Sequence, residues 1–266
     1  MKTTLNTAEV FASTGGREFN ASGDVIMFVH GSGQSHLGYM LQGRYFANRG
    51  WDVLVPDMPA HGLSGGAPLT SIEDMADWHV ALMDQLGVKS AHVVGHSQGG
   101  LIALEMARRS GDRVRGLSLV GCALAIPVND MLLGLARDKE PAAINAMVDW
   151  GHGPVGHAHD HTMPGQSHLY YGRQLMEANE TGALFADLSA CAAYSTGADA
   201  AAALSCPAQA ILGQRDKMTP LKFGLQMAKA IGDETPTVIP NAGHMLPNEH
   251  PVEVNRALRT FFEAQK

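Results

Sequence analysis

The chain has 266 residues, 45% of them hydrophobic and 17% charged, with a formal net charge of −7. That length suits one large α/β domain, or one domain carrying an insertion, and the balance of apolar and charged residues is that of a soluble globular protein. The negative charge, with no lysine/arginine cluster against it, excludes a nucleic-acid-binding surface. The first seven residues hold no apolar signal segment and no run of 18 apolar residues occurs, so the expectation is a cytoplasmic chain without membrane contact. Cys122, Cys191 and Cys206 are odd in number, far apart and not in metal spacing, and read as thiols in a reducing compartment.

Taken in order, residues 1–23 are poorly patterned, with one or two edge strands around Ala8–Ala12 and a Gly15-Gly16 turn. Asp24–Gly31 is a continuous apolar run ending in glycine, as a strand buried on both faces should be. A helix is expected across His36–Asn48, stopped by Gly50, and a second buried strand over Trp51–Asp57. Ser71-x-x-Asp74 is a capping-box-like start for a helix that Gly87 ends. Strand 91–95, helix 98–109 and strand 114–121 follow.

After Gly121 the alternation breaks. Residues 124–205 carry helical stretches but no convincing strand, too long for a simple connection, and read as an inserted helical element. Strand patterning resumes at Ala208–Gly213, then a helix at about 220–231, a strand over Thr235–Pro240 and a last helix across 251–264. Strands alternating with helices predict a doubly wound, mostly parallel α/β sheet. The expected division is a core of residues 1–123 and 206–266 with a helical cap at 124–205.

The pattern Gly-x-Ser-x-Gly occurs twice in this glycine-rich chain. Gly62-Leu63-Ser64-Gly65-Gly66 lies in a loop with no helix behind it. Gly95-His96-Ser97-Gln98-Gly99 lies between a predicted strand and a predicted helix, the context that a nucleophile elbow requires, so Ser97 is the candidate nucleophile. A serine hydroxyl needs a base, and the base an orienting acid, from loops at the same sheet edge. Asp216 stands three residues beyond one later strand and His244 just beyond the next, giving the order Ser97, Asp216, His244.

With these residues in place the chain resembles the α/β-hydrolase fold superfamily, and its serine esterase-like branch with a helical cap, along nearly all its length. Phe28-Val29-His30-Gly31-Ser32-Gly33 is similar to the family's oxyanion loop, and Asp57-x-x-x-His61-Gly62-x-Ser64 to its second loop. Gly95-His96-Ser97-Gln98-Gly99-Gly100 resembles the elbow, Cys206-Pro207…Gly213-x-x-Asp216 the acid loop, and Gly243-His244-x-x-x-x-Glu249-x-Pro251 the histidine loop. The resemblance implies an oxyanion hole made by the backbone N–H of Gln98 and that of Ser32 or Gly33. It makes Asp57 a loop-bracing residue; His30, His61 and His96 are read as loop-structuring rather than catalytic. It also places Cys122 and Ala123 where some members carry the acid.

The expected reaction is hydrolysis of small carboxylic esters through an acyl-enzyme, with no cofactor and no metal. Lactonase, thioesterase and C–C bond hydrolase branches, or a non-catalytic receptor on the same fold, stay open. The partner is a small-molecule ester, on a monomer or homodimer. Expected substrate contacts are Gly31, Gly33, Met147, Trp150, Tyr170 and Met245, with Met163, Leu169, Tyr171, Leu175 and Met176 as further candidates from the cap, about half of which pack the cap onto the core. The segment bearing His152, His157, His159, His161 and His168 is the unusual local feature. Alternation at 157, 159 and 161 sets three imidazoles on one face of an extended segment, a zinc or nickel geometry. A polar loop over the mouth of the site is the favoured reading.

Overall fold

The computed structural model describes residues 1–158 and 167–265. His159, His161 and Met163 therefore lie outside the described residues. The sheet has eight strands: β1 (Lys2–Leu5), β2 (Ala8–Ser13), β3 (Val25–Val29), β4 (Asp52–Pro56), β5 (Ala91–His96), β6 (Val114–Val120), β7 (Ala208–Gly213) and β8 (Thr237–Ile239). Their order is β1-β2-β4-β3-β5-β6-β7-β8. β1/β2 and β2/β4 pair antiparallel, and every pairing from β4 to β8 is parallel.

The apolar runs form central strands because both faces are covered. Along β3, Val25, Met27 and Val29 enter one hydrophobic cluster while Ile26 and Phe28 enter the other, the period of two that a strand imposes. The first cluster is completed by α2 (Ile72–Leu86), α3 (Gln98–Arg109), α9 (Gly197–Ala202) and α10 (Leu221–Ala230). The second is completed by α1 (Met40–Ala47) and α12 (Pro251–Glu263), through residues such as Phe46, Leu258 and Phe262. α2 begins as its sequence dictates: the Ser71 hydroxyl accepts the Asp74 N–H at 3.1 Å, and Gly87 ends it in the left-handed conformation at φ 74°.

Two local expectations are refined. The N-terminal segment is a two-strand hairpin whose turn is Asn6-Thr7, with φ 48° and 70°, and the expected Gly15-Gly16 turn follows β2, with φ 66° and 82°. Positive φ at both central residues of the hairpin matches the right-handed strand twist. The helix expected over His36–Asn48 starts as a 3-10 turn, His36–Tyr39, before α1. His36 is drawn aside there, its ring Nδ1 lying 2.8 Å from the Asp57 carboxylate.

Between β6 and β7 run α4 (Asp130–Asp138), α5 (Glu140–Gly151), α6 (Pro154–His157), α7 (His168–Glu177), α8 (Ala183–Ala193) and α9. Residues of α4, α5, α7 and α8 share a hydrophobic cluster of their own, from Leu132 to Leu188. Ala200 and Ala201 of α9 pack into the main core. Among the described residues no helix is long and apolar enough to cross a membrane.

The strand order places the site. From β3 the chain steps outward to β4 and then crosses back to β5 on the other side of β3. Loops leaving the C-terminal ends of β3 and β5 thus diverge, opening the crevice typical of a switch point in a parallel sheet.

Candidate active site

Ser97 stands between the end of β5 and the start of α3 with φ 55° and ψ −123°, a conformation that L-residues rarely adopt. Its flanking glycines are required by close approach. A Cβ on Gly95 would fall on the Gly99 carbonyl, and one on Gly99 on the Val29 carbonyl of β3. Turning the chain this tightly leaves Gln98 as the first residue of α3, where a backbone N–H has no intrahelical acceptor and the helix dipole favours negative charge. Ser64, the other Gly-x-Ser-x-Gly serine, accepts the Phe11 N–H at 2.9 Å in a loop.

Asp216 and His244 are buried and joined, His244 Nδ1 lying 2.8 Å from Asp216 Oδ2. Asp216 is held from all sides. Its Oδ1 accepts the N–H groups of Met218 and Thr219, each at 2.8 Å, and the Thr219 hydroxyl lies 2.7 Å from Oδ2. Burial opposes ionisation of Asp216, but the His244 ring, its hydrogen bond and the Thr219 donors outweigh it and hold the carboxyl below its ordinary value. Thr219 was missed in the sequence. Its signal is an Asp with hydrogen-bonding residues two and three positions later, an Asx-type turn ahead of α10.

Ser97 and His244 line one cavity of about 200 Å³, with Gly31, Ser32, Met147, Trp150 and Met245 among its walls. Two expected contacts are elsewhere. Gly33 lies outside the lining; its N–H is spent on Asp187 Oδ2 at 2.7 Å, and Met176 and Leu184 pack over it. That leaves the Ser32 N–H as the loop's free candidate for an oxyanion. Tyr170 is 58% exposed. On α7 it sits two residues from the cavity-lining Gly172 and six from Met176, so helical periodicity turns it outward. The Tyr171 hydroxyl donates to the Leu37 carbonyl at 2.9 Å.

Walls absent from the sequence reading come from the loop after β6 (Ile126, Pro127, Val128, Asn129), from Leu188 and Cys191 of α8, and from Gln34, Lys217 and Met218, while His152, from the segment expected over the mouth of the site, also lines it. Cys191 is apolar in effect, since burial pushes its thiol up to about 12.

His30 and His96 brace loops. His30 Nε2 accepts the Met58 N–H at 3.1 Å, and burial lowers its pKa to about 4. His96 donates from Nε2 to the His244 carbonyl at 2.8 Å; burial, then the His244 ring, bring it to about 3. Asp57 is fully buried and accepts from His36 and from the Leu63 N–H. His152 is buried against the Val148 carbonyl at 2.8 Å. Among the described residues no three His, Cys, Asp or Glu side chains group as metal ligands.

Fold and loop geometry together define a class. The sequence model of the alpha/beta hydrolase family matches residues 26–257, and the chain belongs to that family. It is 28% identical over 261 residues to a 2-hydroxy-6-oxononadienedioate/2-hydroxy-6-oxononatrienedioate hydrolase of a Pseudomonas species, covering 90% of this chain and 87% of that one. It is 30% identical over 258 residues to a pimeloyl-[acyl-carrier protein] methyl ester esterase of Chromobacterium violaceum, covering 91% and 95%. Among solved structures, a thermophilic esterase from Thermogutta terrifontis superposes with a TM-score of 0.84 at 25% identity, covering 99% of this chain and 97% of that one. Membership and neighbours support a hydrolase.

Proposed function

We propose that the protein is a serine hydrolase that cleaves small carboxylic esters through an acyl-enzyme. The observation that carries this reading is the 2.8 Å contact of His244 Nδ1 with Asp216, on a cavity shared with a serine held at a strained strand-to-helix turn. An Nδ1–H donated to the carboxylate leaves Nε2 unprotonated as the base. Nε2 takes the Ser97 proton as Oγ attacks the ester carbonyl, and the oxyanion forms against the backbone N–H groups of Gln98 and Ser32. Such donors contribute about 3–4 kcal/mol each to transition-state stabilisation. The His244 imidazolium then protonates the departing alkoxide, and water activated by the same ring hydrolyses the acyl-enzyme.

The cavity limits the substrate. About 200 Å³ lined mostly by apolar side chains holds a short acyl chain rather than a long one. The helices α4–α8 act as the cap that shapes it. The C. violaceum relative supports ester cleavage. The Pseudomonas relative favours a second reading, hydrolysis of a dienedioate ketone by the same three residues.

Turnover of p-nitrophenyl acetate and labelling by a fluorophosphonate probe test the proposal. Ser97→Ala should lose both, with turnover falling by about 10⁴-fold or more and the circular dichroism spectrum unchanged. Retained turnover in that variant sinks the serine assignment, and a wild-type protein that takes up no probe and turns over no ester favours the receptor reading. Faster turnover of a 2-hydroxy-6-oxo dienoate than of any ester would select the second reading.

A further inference from the structure

We propose that Asp187, in the middle of α8, is a positioning residue that holds both sides of the oxyanion hole from the inserted helices; the proposal rests on the serine hydrolase reading above. Asp187 is fully buried. Its Oδ2 accepts the Gly33 N–H at 2.7 Å and lies 3.0 Å from His61 Nε2. Its own backbone carbonyl accepts the Gln98 side-chain N–H at 2.8 Å. One residue thus grips the loop after β3 by its carboxylate and the first turn of α3 by its main chain.

The consequence follows from peptide geometry. The Gly33 N–H belongs to the same rigid plane as the Ser32 carbonyl, so anchoring it fixes ψ of Ser32. The preceding plane, which carries the Ser32 N–H, is fixed at its other end by the Gln34 N–H donated to the Gly31 carbonyl at 3.0 Å. Gly33 itself, at φ +66°, has the conformational freedom to let this loop swing. A second side chain from the inserted region closes that route: Asn179 Nδ2 donates to the Gly33 carbonyl at 2.7 Å, while its Oδ1 accepts the Gly62 N–H at 2.9 Å. Asp187 and Asn179 therefore pin Gly33 on both sides, with Gly33 outside the cavity and its neighbour Ser32 on the wall. The cap shapes the pocket and also sets the aim of the donors beneath it.

A group that acts through the oxyanion donors affects the tetrahedral state and spares the ground state. Asp187→Ala should lower kcat on p-nitrophenyl acetate by about 10²-fold, the loss typical of one misplaced donor, with KM within about twofold. Affinity for a trifluoromethyl ketone, which forms a tetrahedral adduct, should fall by the same factor, while competitive inhibition by acetate stays unchanged. Asp187→Asn keeps an acceptor toward Gly33 and should recover most of the loss. Asn179→Ala releases Gly33 from the other side and should give the same KM-sparing loss, which keeps the test decisive if Asp187→Ala fails to fold. Wild-type kcat in Asp187→Ala or in Asn179→Ala, or a loss shared equally by KM and acetate binding, overturns the proposal. An inactive wild-type protein overturns the ester reading and this proposal with it. An active wild type with a full-rate Asp187→Ala overturns only this one.

Discussion

Ser97, the proposed nucleophile, sits in a strained backbone conformation. At φ 55° and ψ −123° a non-glycine residue costs about 1–3 kcal/mol, and the surrounding close contacts of Gly95 and Gly99 leave it no other conformation. Ser97→Gly relieves that strain while adding unfolded-state entropy worth about 0.5–1 kcal/mol against the fold. The expected net gain is about 1 kcal/mol, read as a rise in Tm of about 2–4 °C in calorimetry. Ser97→Ala keeps its Cβ and should leave Tm near wild type, although under the proposed mechanism both variants should lose activity. Equal Tm values for the two would show that the turn is unstrained.

Among elements, the histidine loop shows how one carboxylate ties two segments together. Glu249, in the short helix α11 (Leu246–Glu249), accepts the Gly153 N–H at 2.8 Å and the Gly243 N–H at 3.1 Å. The N–H groups of His244 and Met245 both donate to the Gly151 carbonyl, at 2.7 and 3.1 Å. The end of α5 and the loop carrying His244 are therefore one hydrogen-bonded unit. Glu249→Ala leaves two buried backbone N–H groups without an acceptor, at about 1–3 kcal/mol each, so Tm should drop and kcat with it. Glu249→Gln keeps an acceptor and should fall between. Thermal melts paired with steady-state kinetics check this, and an unchanged kcat in a destabilised Glu249→Ala would confine the residue to stability. α7 makes a related point. Leu169, Tyr170, Leu175 and Met176 all look apolar in the sequence, yet only a single face of the helix meets the cavity, through Gly172 and Met176.

For the whole molecule, acid stability is set by histidines buried as neutral rings. Burial is the first cause in each case, bringing His30, His79 and His152 to about 4 and His96 to about 3, from an ordinary 6.5. Between pH 6.5 and 4 the unfolded chain binds these protons and the folded chain does not. Stability is therefore fully present above pH 6.5 and is lost as pH falls, at roughly 1.4 kcal/mol per pH unit for each group. His61 opposes the trend. Burial lowers its pKa, but the Asp187 charge and hydrogen bond raise it more, so its contribution is present at low pH and lost as pH rises through its raised value. Glu249, its carboxyl raised by burial, opposes the trend too, but these four histidines and His250, also lowered by burial, outweigh the two, and the urea midpoint at pH 5 should lie below that at pH 7. A midpoint that is flat or rising toward pH 5 contradicts the neutral buried rings.

The alternation of apolar runs with helical patterns, written into local periodicity, made the parallel sheet legible, and glycine-flanked Ser97 with Asp216 and His244 after later strands marked the three residues of the proposed triad. Those signals are local, since each strand must bury both faces and each sharp turn must find its glycines within a few residues. Gly33, Tyr170, Asp187 and Glu249 are different. Whether Gly33 faces the cavity depends on an acceptor 154 positions away, and Asp187 reads in its own helix as an ordinary polar residue. Which walls meet over Ser97, and which carboxylate grips which loop, was decided only when the inserted helices packed onto the sheet, because hydrogen bonds and burial depend on distances in space that sequence spacing does not encode.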